Sequence, residues 1–132
     1  MKKMVVIFLT IVGCMILNSF VIAQTGKDVK PVVTFVELGS VNCIPCKKMQ
    51  PVMKSVEEKY GSQIKVIFYD VWKEEQKQYA VKYGIKLIPT QVFLDAEGKE
   101  FFRHEGFYPE TEIDKLLVKK GLKANNKKAV ND

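Results

Sequence analysis

The chain is short of the residues that build metal centres. Its 132 residues include one histidine, His104, and three cysteines, Cys14, Cys43 and Cys46. A structural zinc ion takes about four ligands, and beyond the first 23 residues only His104 stands beside Cys43 and Cys46. No metal site is expected, and no cofactor. The one tryptophan, Trp72, reads as structural. No internal repeat is visible, and the length leaves room for one domain with short extensions. Nor is there a basic patch interleaved with aromatic residues. The net charge of +6 draws on Lys2 and Lys3 and on a cluster of Lys119, Lys120, Lys123, Lys127 and Lys128. That is the distribution of a targeting flank and a solvated tail, so nucleic acid is not expected as a partner.

The longest apolar run lies at the beginning. Lys2 and Lys3 precede the stretch from Met4 to Ala23, which is broken weakly by Thr10, Gly13, Asn18 and Ser19. Charge, apolar run and small final residue make an export signature, with cleavage expected after Ala23. Two other readings compete. Ile11-Val12-Gly13-Cys14 has the form of a bacterial lipobox, although Met15 to Ile22 would then remain as an apolar stretch on the mature protein. Residues 4–23 are also long enough to span a bilayer as an uncleaved helix, a membrane tether. All three readings put the domain outside the cytoplasm, in the periplasm or on the outer face of the membrane.

Residues 24–31 are polar and read as a linker, 32–122 as the domain, and 123–132 as a polar tail. Val32 to Leu38 is a β-branched and apolar run, the pattern of a buried strand. Gly39 to Asn42 form a loop. From Cys43, the positions Cys46, Met49, Val52, Met53, Val56 and Tyr60 trace one face of a helix that Gly61 ends and Pro51 should kink. Ile64 to Tyr69 is a second strand, and Lys73 to Tyr83 a polar helix with Tyr79, Ala80 and Tyr83 inward. Thr90 to Leu94 and Glu100 to His104 form a hairpin around Asp95-Ala96-Glu97-Gly98. Pro109, then Glu110 and Glu112, start a last helix that turns Ile113, Leu116 and Leu117 inward and stops at Gly121. The order predicts a parallel βαβ unit followed by antiparallel strands and a helix.

Cys43-Ile44-Pro45-Cys46 falls where a strand and loop feed a helix. The first turn of a helix presents unpaired N–H groups and a partial positive charge. A thiolate there is stabilised, and the thiolate is the reactive form. Cysteines three apart at a helix start lie close enough to form a disulfide after small adjustment. Cys46, one turn inside, should be the more buried. Cys43 is therefore the expected nucleophile and Cys46 the residue that resolves the mixed disulfide. Pro45 stiffens the first turn. Lys47 and Lys48 read as solvated and His104 as a surface residue of the hairpin, while Met49 and Met53 belong to the core.

A wider set of residues resembles the thioredoxin family. It runs through Phe35-Val36-Glu37-Leu38, Cys43-Ile44-Pro45-Cys46-Lys47, Pro51, Tyr83-Gly84-Ile85, Ile88-Pro89-Thr90 and Gly106, spanning Val32 to Leu122. The resemblance implies an α/β thioredoxin fold with a central mixed β-sheet flanked by helices, βαβ then ββα. It implies that Pro89 is a cis-proline facing the cysteines. The backbone of Ile88 would pair with a bound substrate strand, and Gly106 would let substrate backbone approach. Glu37, six residues before Cys43, would be a buried acid with a raised pKa that accepts the Cys46 proton. The residues alone also allow a solvated Glu37, a strand-start Pro89 and a simple turn at Gly106. Asn42 stands where the family usually has tryptophan and Ile44 where it has glycine, which suggests a narrower set of clients. Val66 is assigned the place of a lysine that often neighbours the acid.

Strong oxidases of this superfamily often carry histidine between the cysteines, where it stabilises the reduced form. Ile44 and Pro45 do not, so the expected activity is reduction of disulfides in client proteins. A reductant outside the cytoplasm must be recharged, and the resemblance implies a membrane electron-donor protein. The domain is expected to act as a monomer. A disulfide oxidase or isomerase, or a binding module without redox use, are the competing readings.

Overall fold

The apolar run after the linker forms β1 (Val33–Gly39), buried almost throughout. A strand of that kind has to be covered on both faces, and here it is also paired on both edges. β2 (Ile64–Asp70) runs parallel to it, from Val33 opposite Ile64 to Gly39 opposite Asp70. β3 (Thr90–Asp95) lies antiparallel on the other edge, and β4 (Glu100–Glu105) pairs antiparallel with β3. The sheet order is β2-β1-β3-β4. Among the described residues, three α-helices complete the fold, α1 (Ile44–Tyr60), α2 (Gln78–Lys82) and α3 (Glu110–Lys119), with a single 3-10 turn over Gly61–Gln63. The mixed sheet and the βαβ-then-ββα order agree with expectation. This computed structural model describes residues 30–125. The export segment 1–23 with Cys14, most of the 24–31 linker and the tail from 126 onward lie outside the described residues.

The two faces of the sheet carry separate cores. On one face, Val33, Phe35 and Phe93 meet Met49, Met53, Val56 and Tyr60 of α1 and Ile113 and Leu117 of α3. Phe35 stacks on Phe93, with ring centroids 4.7 Å apart. On the other face, Val36, Leu38 and Val92 pack with Val71, Tyr79, Ala80, Tyr83 and Ile88. Lys59 ties α1 to α3 by pairing with Glu110 and with Asp114, the latter at 2.8 Å, and the Tyr60 hydroxyl donates to Asp114 at 2.9 Å. Burial first, and the Asp114 carboxylate second, push the Tyr60 phenol up to about 12.

Several local expectations change. Cys43 caps α1 from outside, with Pro51 inside the helix as expected. Pro109 is likewise the cap of α3. The helix expected over Lys73–Tyr83 shrinks to Gln78–Lys82. The chain first folds back on the end of β2: the Lys73 N–H donates to the Asp70 carbonyl and the Asp70 N–H donates to Gln76 Oε1, 2.7 Å away. Those bonds hold residues 71–77 in turns. Trp72, read as structural, is 62% exposed on this loop.

The Phe35–Phe93 stack generates a stability prediction. Phe93→Ala empties a fully buried site at the centre of the larger core, and such deletions cost about 3–5 kcal/mol. Urea unfolding reads the loss; a cost under about 1 kcal/mol would mean that the stack does not organise this core.

Candidate active site

Every predicted site residue except Glu37 falls at one end of the sheet or in the first turn of α1. The register makes this so. β1 ends at Gly39 beside Asp70, the last residue of β2, while Leu38 pairs with Thr90, which opens β3, and Thr90 pairs with Glu105, which closes β4. The cysteine loop, Ile88-Pro89 and Gly106 thus share a rim. The Ile88–Pro89 peptide is cis. The Gly106 N–H donates to the Pro89 carbonyl at 2.7 Å, closing the rim between the last two strands. Gly106 has φ +93 and open space where a Cβ would be, so backbone conformation rather than crowding favours glycine there.

Cys43 and Cys46 are joined by a disulfide, with Cα atoms 5.2 Å apart. Cys43 has extended backbone, and its sulfur accepts the Cys46 N–H at 3.3 Å. One of the unpaired donors of the first helical turn therefore points at the expected nucleophile, the arrangement that stabilises a thiolate. Cys46 is wholly buried, whereas Cys43 keeps a little exposure and Ile44 is 74% exposed beside it. Pro45 lies in the first turn of α1 and Asn42 is exposed just outside it.

Two residues not singled out from the sequence hold this loop. Asp70, buried at the end of β2, accepts the N–H groups of Val41 at 3.3 Å and Trp72 at 3.2 Å. Buried Ser40 accepts the Asn42 N–H through its hydroxyl at 3.2 Å and the Cys43 N–H through its carbonyl. The available signal was a lone acid ending an apolar strand and a serine in the loop. Gly39 matters for space: a Cβ there would lie 3.2 Å from both Cβ and Sγ of Cys46. A side chain at this position would press directly on the disulfide.

Glu37 is buried, not solvated at an edge. It shares a face of β1 with Phe35 and Gly39, the face that α1 covers. Gln91, opposite it on β3, donates from Nε2 to Glu37 Oε1 at 3.3 Å. Burial pushes the Glu37 carboxyl up to about 8, against the lowering effect of the Gln91 bond. On β2 the residue opposite Glu37 is Phe68, so the place assigned to Val66 is two residues too early. Strand pairing sets that position, and counting along the sequence could not.

A family model for a thioredoxin-like domain matches residues 21–121. The chain belongs to the thioredoxin-like family. It is 32% identical to thioredoxin of Bacillus subtilis over 77 residues, 58% of this chain and 71% of that protein. It is 33% identical to chloroplastic thioredoxin Y of Oryza sativa over 87 residues, 66% of this chain and 49% of that protein. Among solved structures, thioredoxin of Nicotiana alata aligns with a TM-score of 0.57 at 31% identity, covering 67% of this chain and 72% of that one. The Drosophila thioredoxin Deadhead aligns with a TM-score of 0.60 at 26% identity, covering 69% and 83%. The family and the Cys43–Cys46 pair make this a thioredoxin-like disulfide oxidoreductase.

The buried acid of this thioredoxin-like protein makes stability depend on pH. Glu37 titrates near 4.5 when the chain is unfolded and at about 8 when it is folded. Across that window the unfolded state binds fewer protons, so wild-type stability falls as pH rises. The total loss is on the order of 5 kcal/mol, at about 1.4 kcal/mol per pH unit of separation. Glu37→Gln keeps an acceptor for Gln91 and carries no charge. Its advantage over wild type should be absent below about pH 4.5 and full above about pH 8, as read by denaturant unfolding at each pH. An equal advantage at every pH would show that Glu37 is not held protonated.

Proposed function

We propose that this protein is a disulfide reductase of the cell envelope, working through a Cys43–Cys46 dithiol–disulfide cycle on client proteins. The observation that carries the reading is the pair at the mouth of α1, with a buried acid on the covered face of the adjoining strand and no hydrogen-bonding side chain between the cysteines. In the reduced form the Cys43 thiolate attacks a client disulfide and forms a mixed disulfide. Cys46 then gives its proton to Glu37, directly or through water, and attacks Cys43 Sγ. The client leaves as a dithiol and the Cys43–Cys46 bond closes. The client strand pairs with the backbone of Ile88 beside Pro89 and passes close to Gly106. Asn42 and Ile44, in place of the family's usual residues, narrow the choice of client.

Residues 1–23 support export, either by a cleaved signal or with a retained tether. Outside the cytoplasm the oxidised protein needs reducing equivalents, and a membrane electron-donor protein would supply them. The domain acts as a monomer in this scheme. The competing activity is oxidation or isomerisation by the same residues, separated from reduction by the potential of the pair.

Two measurements test the assignment. With Cys46→Ser, the mixed disulfide has no internal thiol to resolve it, so clients should be trapped on Cys43 and appear as higher bands on non-reducing gels. Cys43→Ser should trap none; equal trapping by both variants would reverse the roles. The second measurement is equilibration with glutathione. A side-chain hydrogen bond to a charged sulfur is worth about 1.5–3 kcal/mol, and about 1.4 kcal/mol corresponds to about 30 mV for a two-electron couple. Without such a donor at residues 44 and 45, the potential should lie nearer the roughly −270 mV of thioredoxin than the roughly −120 mV of strong oxidases. Pro45→His should raise it by about 30–60 mV. A wild-type value in the oxidase range would put the oxidase reading first.

A further inference from the structure

Among the described residues, two buried side-chain oxygens have no hydrogen-bond partner: Glu37 Oε2 and Gln91 Oε1. They belong to the same two side chains that already share the 3.3 Å bond from Gln91 Nε2 to Glu37 Oε1. A buried unpaired acceptor is costly, and two of them on facing residues of adjacent strands call for a common explanation. A carboxylic acid and a primary amide complement each other at two points. The amide N–H meets the acid carbonyl, and the acid O–H meets the amide carbonyl. One proton on Glu37 Oε2, donated to Gln91 Oε1, would give both orphaned oxygens a partner. An ionised carboxylate leaves two acceptors without a donor.

We propose that Gln91 is a positioning residue that holds protonated Glu37 in a two-point acid–amide pair, keeping a proton in store beneath the oxidised cysteine pair. The inference rests on the proton-transfer role given to Glu37 above and names the residue through which that role is set. The surroundings leave Gln91 this task. The β2 residue opposite Glu37 is Phe68, which has no charge. On β4 the residue opposite Gln91 is His104, but its ring is stacked on Tyr108 and its Nε2 lies 3.2 Å from the Phe107 carbonyl. The Tyr108 hydroxyl is engaged with the Glu112 carbonyl. On α1, Cys46 is buried, while Lys47 and Lys48 are exposed.

The stored proton is used when the disulfide is reduced. A donor dithiol presents a thiolate to Cys43 Sγ; a new S–S bond forms and the Cys43–Cys46 bond breaks. The bonding electron pair leaves on Cys46 Sγ. That sulfur takes the proton from Glu37 Oε2, directly or through water, to become a thiol. Glu37 becomes a carboxylate that still receives the Gln91 Nε2–H. The second donor sulfur then displaces the first from Cys43. The donor ends as a disulfide and the protein as a dithiol, two electrons having passed between them.

The test uses the full chain, with dithiothreitol as the probe donor. In oxidised wild type, the Gln91 side-chain amide resonances should titrate with the same midpoint as the Glu37 carboxyl carbon. Amide resonances that stay still through that titration overturn the proposal without any mutation. Gln91→Met, similar in length and without either amide group, should slow reduction of the Cys43–Cys46 disulfide near neutral pH by about tenfold, the weight of one hydrogen bond to a charged group. In a Glu37→Gln background the same substitution should change the rate less than about twofold, since its effect runs through the acid. Equal slowing in both backgrounds makes Gln91 merely structural and overturns the proposal. If Glu37→Gln by itself leaves the rate unchanged, the proton-transfer role of Glu37 fails, and the proton store with it. Whether the pair itself forms is then still read separately from the wild-type amide titration.

Discussion

The pairing of β1 on both edges is the constraint from which the rest of the molecule takes its place. All seven of its residues pair in parallel with β2 and the first six pair antiparallel with β3, and their side chains alternate between two cores. A strand enclosed in this way cannot slip by one residue without exchanging its faces. That fixes Gly39 against Cys46, Glu37 on the face that α1 covers, and Leu38 beside the residue that follows Pro89. The parallel pairing demands a crossover connection, and α1 is that crossover. Its first turn therefore begins within a few residues of the end of β1, at the rim of the sheet. The disulfide lies at this rim because the topology brings a strand end and a helix start together there.

Two kinds of support meet at that point. Around the loop, Ser40 and Asp70 satisfy backbone N–H groups of residues 41–43 and 72, so the segment before Cys43 is held by its own hydrogen bonds. On the covered face of β1, Glu37 has no such surplus of donors: one bond from Gln91 opposes the cost of burial, and burial wins. The site thus pairs a rigid, well-bonded loop with a carboxyl kept neutral by its surroundings. The loop leaves Cys43 slightly exposed beside Ile44, and the carboxyl is suited to exchanging a proton with a buried sulfur. The protein accepts a stability penalty that grows between about pH 4.5 and about pH 8 in keeping this acid inside.

Much of the fold was legible along the chain because the signals are local. The β-branched run of β1, the three-and-four spacing of Met49, Met53, Val56 and Tyr60, and the glycine turn of the hairpin each reflect the period of one element. Where the sequence misled, a neighbour in space had intervened. The helix expected from Lys73 starts only at Gln78 because Asp70 and Gln76 bind the intervening backbone into turns. Trp72, which looks like a core residue by type, is left on the surface by the same loop. Phe68 rather than Val66 stands beside Glu37, a relation set by strand pairing.

The cysteine pair, the proline between its members, the acid six residues earlier and the Ile88-Pro89-Thr90 segment are properties of the amino-acid order, and by themselves they determined the family and the chemistry of the site. They could do so because both cysteines and the helix start fall within four consecutive residues, where spacing alone settles proximity. The environment of the acid was a different matter. That Glu37 is enclosed, that its hydrogen-bond partner is Gln91, and that Asp70 anchors the loop before Cys43 depend on contacts between residues 29 to 54 positions apart. Only the tertiary structure decides such contacts, because sheet register and helix packing, not sequence distance, determine which side chains share a low-dielectric interior.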